Sequence, residues 1–324
     1  MPELDLRAYQ AASEGVAHYV VSGPGFIRIA GDDRLDFLQR QTTNDAGQLS
    51  LDQAVLTVLT SPTARILDVF YLLHLPDAIG VVTLPHRSES TTRYLKSRIF
   101  FMDKVTVELA SQDFAQVDII GPESDSIWQR LGMERSISSN QVSSLNFNSS
   151  SLLTWGLNPE YALGSRILVP AQSLDLFLDF LTTSGSMSLG DDEYQVLRVE
   201  HGLPAADTEL SEDYTPLEVG LRGAVSERKG CYTGQEVLAR QVTYDKITRQ
   251  LRRVCLDGPM SPGARLWSTN GDAVGELTSV VDSPRFGAVG LAIIKRPHDQ
   301  VGTKLIIGEE SNSTRIGEVC EPLL

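Results

Sequence analysis

The 324-residue chain has only three cysteines, Cys231, Cys255 and Cys320, and no C-x-x-C pair. Spacing this wide argues against a disulfide framework and against a structural zinc site. Three thiolates are also too few for an iron–sulfur cluster held by four. The five histidines are scattered with no H-x-x-x-H, which leaves metal chemistry without a ligand set. No apolar run reaches the roughly 18 residues of a membrane span. The opening MPELDLRAYQAASEGVAHYV has no basic segment followed by an apolar one, so no secretory signal is expected and the cytoplasm is the default compartment. Cations are outnumbered: 28 Lys and Arg against 42 Asp and Glu leave a net charge of −14, which repels nucleic acid. Two nucleotide loops are missing as well. SGPGFIRIAG carries Gly23 and Gly25, but Arg28 stands where G-x-G-x-x-G needs its third glycine, and no G-x-x-x-x-G-K-[ST] occurs.

What is present is ordinary for a globular protein, 41% hydrophobic and 22% charged residues, in a length that suits two or three packing units. In the first third, GFIRIAG reads as a strand and DDRLDFLQRQTTND as a helix with Asp32 at its N-cap. QAVLTVLTS and RILDVFYLLHL read as strands around a turn at residues 61–64, and IGVVTLP as a third strand. A helix near residues 88–101 and the strand KVTVELA follow, so the pattern is α+β and not doubly wound. Residues 133–151, MERSISSNQVSSLNFNSSS, read as an exposed loop on composition. YALGSRILVP is another strand, and SLDLFLDFLTT has helical spacing. From Gln250 onward, six short strands broken by Gly and Pro predict a small closed barrel or sandwich, a separate C-terminal module.

Four features carry chemistry. Cys231 stands in RKGCYTGQEVLARQ beside Arg228 and Lys229, and Thr233 and Glu236 have capping-box spacing for a helix that would start immediately after it. A helix N-terminus and cations both favour thiolate, while Gly230 and Gly234 permit close approach of a ligand. The alternative is a small buried hydrophobe. Glu200 ends a helix stopped by Gly202 and Pro204, on the face of Val196 and Leu197, where burial and the helix dipole both oppose its charge. It needs compensating donors or cations: a ligand, or a structural salt bridge. Asp68 alternates onto the face of Ile66, Phe70 and Leu72, a setting that raises a carboxyl pKa. Between Arg222 and Arg253, eight cations face three acids, a local +5 that is either a solvated face or a docking surface for a small polyanion.

KGCYTGQEVLAR closely resembles the signature of the YgfZ-type folate-binding family, relatives of the glycine-cleavage T-protein, an aminomethyltransferase. LRVEHGLPAADTELSEDYTPLEVGL and FLQRQTTND fit the same pattern, so the resemblance covers nearly the whole chain. It implies a three-domain ring of the T-protein type: a discontinuous folate-binding α+β domain (1–50 and 112–249), a ferredoxin-like domain (51–111) and a C-terminal β-barrel (250–324). It implies tetrahydrofolate, or a one-carbon derivative, held by Glu200 on the pterin, with Lys229, Tyr232, Gln235, Arg240 and Thr83 also on the cofactor side. Cys231 and Asp68 are its catalytic candidates. Iron–sulfur client or assembly proteins are the implied partners, with tRNA-modifying radical enzymes among the clients. The chain departs from T-proteins at Val69, where they carry a second acid beside the match to Asp68. It also departs at Thr83, where they use Asn, and it lacks their G-Y-T-G-E-x-G-x-E run near PEYALGSRILV. Aminomethyl transfer is therefore the runner-up. A folate-dependent scaffold in which Cys231 only packs is a third reading, and a cysteine hydrolase using His201 a distant fourth.

Overall fold

β-Branched and aromatic runs dominate the first 190 residues, and they fold into two sheets. The structure, a computed structural model, describes residues 4–133, 137–309 and 315–323. The chain divides into two units, Met1–Gly190 with Gly223–Gln235, and Asp191–Arg222 with Glu236–Leu324.

The first unit carries strands β1 (Ala17–Val20), β2 (Gly25–Ala30), β3 (Ala54–Thr60), β4 (Ile66–His74), β5 (Ile79–Thr83), β6 (Thr106–Leu109), β7 (Phe114–Ile120), β8 (Val142–Phe147), β9 (Ser150–Gly156), β10 (Ser165–Pro170) and β11 (Met187–Leu189). Its helices are α1 (Leu6–Glu14), α2 (Arg34–Gln41), α3 (Ser88–Ser97), α4 (Asp125–Arg130) and α5 (Leu174–Thr183). One sheet has the order β3-β4-β5-β2-β6, antiparallel throughout. The other has the order β11-β1-β7-β10-β9-β8.

The near-continuous apolar run of β4 has a physical reason: its sheet is covered on both faces. Phe70 and Leu72 pack with Phe37 and Leu38 of α2 and Leu95 of α3. Tyr71, on the opposite face, meets Trp155 and Tyr161 at ring-centroid distances of 5.8 and 6.0 Å. The second sheet buries Val117, Ile119 and Ile167 against Trp128 of α4 and Phe177 and Leu181 of α5.

The second unit starts with α6 (Asp191–Glu200), takes in most of α7 (Gln235–Thr243), and ends in six strands. These are β12 (Arg249–Leu256), β13 (Arg265–Trp267), β14 (Ala273–Ser283), β15 (Gly287–Lys295), β16 (Lys304–Ile307) and β17 (Arg315–Cys320). They close into a barrel in the order β12-β15-β14-β13-β16-β17. Val254, Leu266, Leu277, Ile294, Leu305 and Val319 fill it, and closure leaves no edge exposed.

Three expectations need correction. The serine-rich stretch is not a loop: Leu145 and Phe147 alternate inward on β8, which starts at the buried Val142 and pairs with β9. Composition hid a short period-2 pattern there; residues 134–136 lie outside the described residues. Asp32 is not an N-cap: α2 starts at Arg34, and Asp33 occupies the cap position without a side-chain bond to the helix's own N–H groups. The cysteine spacing misled as well. Cys255 and Cys320, 65 residues apart, form a disulfide. Barrel register decides this, because β12 and β17 pair with Arg253 opposite Cys320 and Cys255 opposite Glu318. No helix among the described residues is long and apolar enough to cross a membrane.

Candidate functional site

Asp68 lies in the middle of the first unit, opposite Leu59 on β3, with no solvent exposure. Its Oδ1 accepts from the backbone N–H of Val69 at 2.8 Å and of Leu84 at 3.2 Å, and its Oδ2 accepts from the Thr91 hydroxyl of α3. Burial pushes its carboxyl up to about 7, and these three bonds and the more distant Arg87 charge pull only partly back. A carboxyl that exchanges its proton near neutrality can act as acid or base. Thr83 is a neighbour on β5: its hydroxyl donates to Leu84 O at 3.0 Å, and it fills the space a side chain at Gly25 would need, 1.9 Å from an added Cβ. The apolar setting of Asp68 was legible from strand alternation; its bond to Thr91 was not, since nothing in that helix marks the residue.

The second cluster joins residues 41–45, the QTTND string, to the segment 223–235. Thr43 Oγ1 donates to Ala224 O at 2.7 Å, and Asn44 Nδ2 donates to Gly223 O at 3.1 Å. Lys229, 7% exposed, places its ammonium on two carbonyls, Thr42 O at 2.6 Å and Asn44 O at 2.7 Å. Burial lowers the Lys229 amine to about 8 against a raising charge from Asp45, and the Tyr232 ring lies 5.1 Å away. Thr60 Oγ1 donates to Thr233 O at 2.6 Å, fastening the segment to the end of β3. Gly234 is required there: its φ is +85°, and an added Cβ would sit 2.7 Å from Ser61 O. Gly230 is different, with nothing within 4 Å of an added Cβ, so this chain's own packing makes no demand for glycine at that position.

Lys229, Cys231, Tyr232 and Gln235 therefore share one anchored segment. Cys231 is exposed, which removes the buried-hydrophobe alternative. It does not lie immediately before a helix either: α7 starts at Gln235, with Tyr232, Thr233 and Gly234 in between. Gln235 Nε2 reaches back to Lys229 O at 3.4 Å.

Glu200 and Arg240 belong to the other unit. Glu200 is the last residue of α6, without solvent exposure, and Gly202 turns the chain with φ +73° as its sequence position predicts. Glu200 Oε1 accepts from the Ser283 hydroxyl, and Ser283 Oγ in turn accepts from Arg285 N and Phe286 N, each at 3.0 Å. Arg253, 5% exposed, is near enough for Glu200 to raise its pKa against the lowering by burial. Its Nη1 donates to Glu321 O at 2.8 Å and its guanidinium lies 4.4 Å from the Phe286 ring, while Nε and Nη2 have no hydrogen-bond partner among the described residues. Arg240, by contrast, is exposed and paired with Glu236 one turn earlier. Ser283 was missed because it lies 83 residues along the chain from Glu200; Arg253 was legible only as one arginine of the basic segment, the source of the salt bridge offered there as the alternative to a ligand.

The basic segment does not form one solvated face. Arg249 binds Glu218 at 2.7 Å, Arg252 binds Asp299 at 3.0 Å, and Arg253 is buried. Among the described residues no group of three or more His, Cys, Asp or Glu could hold a metal.

Comparison with known proteins agrees with this architecture. Residues 5–229 match the GCVT N-terminal domain family, to which the chain belongs. It is 31% identical over 315 residues to an Arabidopsis thaliana chloroplastic protein provisionally named a transferase, covering 94% of this chain and 71% of that one. It is 26% identical over 321 residues to the aminomethyltransferase of Staphylococcus carnosus, covering 92% and 84% of the two chains. The fold matches the crystal structure of glycine cleavage system aminomethyltransferase T from Bartonella henselae, with a TM-score of 0.84 over 98% of this chain and 88% of that one, at 19% identity. The α+β, T-protein-type fold with a C-terminal barrel is thereby established.

Proposed function

We propose that the chain binds a reduced folate, tetrahydrofolate or a one-carbon derivative, through Glu200, and that it is a YgfZ-type accessory protein in iron–sulfur cluster assembly or repair. The observation that carries the folate reading is Glu200 itself, a fully buried carboxyl at a helix C-terminus, beside a buried guanidinium. A pterin offers N–H donors next to a ring carbonyl. Glu200 supplies acceptor oxygens, and Arg253 supplies two N–H groups with no partner among the described residues, so the residues present fit that ring. Lys229, Tyr232, Gln235, Arg240 and Thr83 remain on the cofactor side of the proposal, with Cys231 and Asp68 as its catalytic candidates.

The accessory reading is supported by Cys231, a thiol exposed on a segment whose flanks are pinned by Lys229 and Gly234. Such a thiol can reach a partner protein's sulfur or cluster. The second reading, aminomethyl transfer, is favoured by Asp68, whose carboxyl at about 7 suits proton exchange, and by the Staphylococcus carnosus relative. Val69 beside it speaks against that branch. A non-catalytic scaffold would need Cys231 to be dispensable.

Titration with reduced folates of wild type and Glu200→Gln tests the core of the proposal. Glutamine keeps an acceptor for Ser283, so the thermal melt should hold while affinity falls about 10- to 100-fold with loss of the charge-assisted bonds. Equal affinity in the two proteins removes the folate site from Glu200. Folate-dependent ammonia release with a lipoyl carrier would move the chain to the second reading. Full rescue of a deletion strain by Cys231→Ser would move it to the scaffold.

A further inference from the structure

The turn between α3 and β6 holds three large apolar side chains in water: Phe100 is 64% exposed, Phe101 99% and Met102 74%. Leaving a side chain of this size in solvent forgoes about 2 kcal/mol of burial. The turn is nevertheless built, not loose. Asp103 N donates to Phe100 O at 2.9 Å, and Phe100 N donates to Asp103 Oδ2 at 2.9 Å. Arg40 of α2 donates to Asp103 Oδ1 at 2.8 Å and lies 5.6 Å from the Phe100 ring. Beyond the turn, Lys104 N donates to Asp33 Oδ2 at 2.9 Å. The residues that close the turn are thus fastened to α2 and its entry, and Phe101 and Met102 project between them.

The charge around this tip opposes that of the whole chain. Residues 93–104 carry Arg93, Lys96, Arg98 and Lys104 against Asp103, a local +3 where the protein totals −14. Lys104 pairs with Asp32 at 3.3 Å, Asp103 is held by Arg40, and Asp36 also pairs with Arg40. Arg93, Lys96 and Arg98 are exposed and form no ion pair among the described residues.

We infer that Phe101 and Met102 form a pre-organised docking knob for a partner protein that offers an apolar cleft rimmed by Asp and Glu side chains. An aromatic side chain carried on a fastened turn and entering a pocket, with cations of the preceding helix meeting acids at the rim, is the anatomy of an interface anchor. The order of the turn lowers the entropy lost on docking. Two other occupants fit less well. An anionic membrane presents its charge over a wide area and would meet the −14 of the whole chain, whereas a protein rim meets only the cations next to the turn. A second copy has an open cavity of about 510 Å³ with Leu131, Phe147 and Phe180 in its lining, but Asn146, Asn148 and Thr183 share that lining and Arg130 and Asp179 bring both signs of charge. The inference does not depend on the folate reading.

A benzophenone-bearing phenylalanine at position 101 of the full chain, with one at exposed position 244 as control, tests it in the cells that make the protein. The expected result is an adduct, absent from the control, with a protein whose labelled peptide lies in an apolar cleft flanked by acids. With that protein purified, Phe101→Asp should weaken binding about tenfold or more. Lys96→Glu combined with Arg98→Glu should weaken it and flatten its salt dependence. Phe101 is 99% exposed, so Phe101→Asp should melt like wild type, while the double charge reversal, at the C-terminal end of α3, should lower the melt slightly. Any of four results overturns the inference: adducts no stronger than at position 244, adducts only between copies of this chain, flotation with phosphatidylglycerol vesicles that Phe101→Asp abolishes, or binding indifferent to Phe101→Asp.

Discussion

Asp68 and Glu209 are equally withdrawn from water, each with no exposed surface, and their surroundings drive them in opposite directions. Asp68, in the first unit, accepts only from neutral donors: two backbone N–H groups and the Thr91 hydroxyl. Burial wins there, and its carboxyl rises to about 7. Glu209, in the second unit, is likewise pushed upward by burial. It also faces Arg198 at 3.5 Å and accepts from Thr208, Thr278 and Ser279 at 2.7, 2.6 and 2.7 Å. Burial alone would raise Glu209, but the Arg198 charge and these hydroxyls outweigh it and hold the carboxyl below its ordinary value. Desolvation sets the default, and an adjacent cation decides the outcome. Asp68 is thereby a group able to exchange a proton near neutral pH, whereas Glu209 is a fixed anion tying α6 to the barrel through Arg198 and Ser279.

The sharpest way to break this contrast is Arg198→Met. It leaves the Glu209 charge buried without its cation and should cost about 3–5 kcal/mol in urea unfolding. A loss near zero would mean that Glu209 never depended on Arg198. Next comes Asp68→Asn, which keeps the acceptor for Val69 and Leu84 and can bond Thr91. The folded Asp68 carboxyl, at about 7, lies above its ordinary 3.8, so its contribution to stability is complete below that lower value and is lost as pH rises through 7. Relative to wild type, Asp68→Asn should therefore gain about 1–3 kcal/mol between roughly pH 5 and pH 8. Parallel pH profiles would take the titration away from Asp68. The smallest effect belongs to Lys229, a buried cation held by carbonyls. Its amine is lowered from 10.5 to about 8, so between those values the unfolded chain keeps a proton that the folded chain has released. Wild-type stability should then rise by roughly 1 kcal/mol from about pH 7 to pH 9, and Lys229→Met should abolish the rise.

Much of the frame is legible before folding. The strand runs of the first third, the α5 spacing, the Gly202 stop after α6 and the six C-terminal strands all follow from local periodicity and turn chemistry. The KGCYTGQE string is informative because its parts serve different needs. Lys229 seats on Thr42 and Asn44, Gly234 permits a backbone approach that no other residue allows, and Cys231 is left in solvent. The same reading failed where composition overrode pattern, at β8, and where a short motif was given too much weight. The Thr233–Glu236 spacing suggested a helix start next to Cys231, but Thr233 is committed through its carbonyl to Thr60, and the helix waits until Gln235. The eight cations from Arg222 to Arg253 read as one patch because they are contiguous in sequence, yet Arg249 and Arg252 find their own carboxylates, Glu218 and Asp299.

From its order of residues alone this chain determined which segments become strand or helix, where α6 stops, and that Asp68 and Glu200 turn toward apolar surroundings, because each depends on neighbours a few positions away. Tertiary structure alone decided that Cys255 reaches Cys320, that Arg253 and Ser283 stand by Glu200, that Arg198 reaches Glu209 while no cation touches Asp68, and that Phe101 is left in water. These are through-space outcomes: barrel closure and sheet stacking bring together groups that the sequence keeps far apart, and electrostatics and exposure respond to distance in space, not to position along the chain.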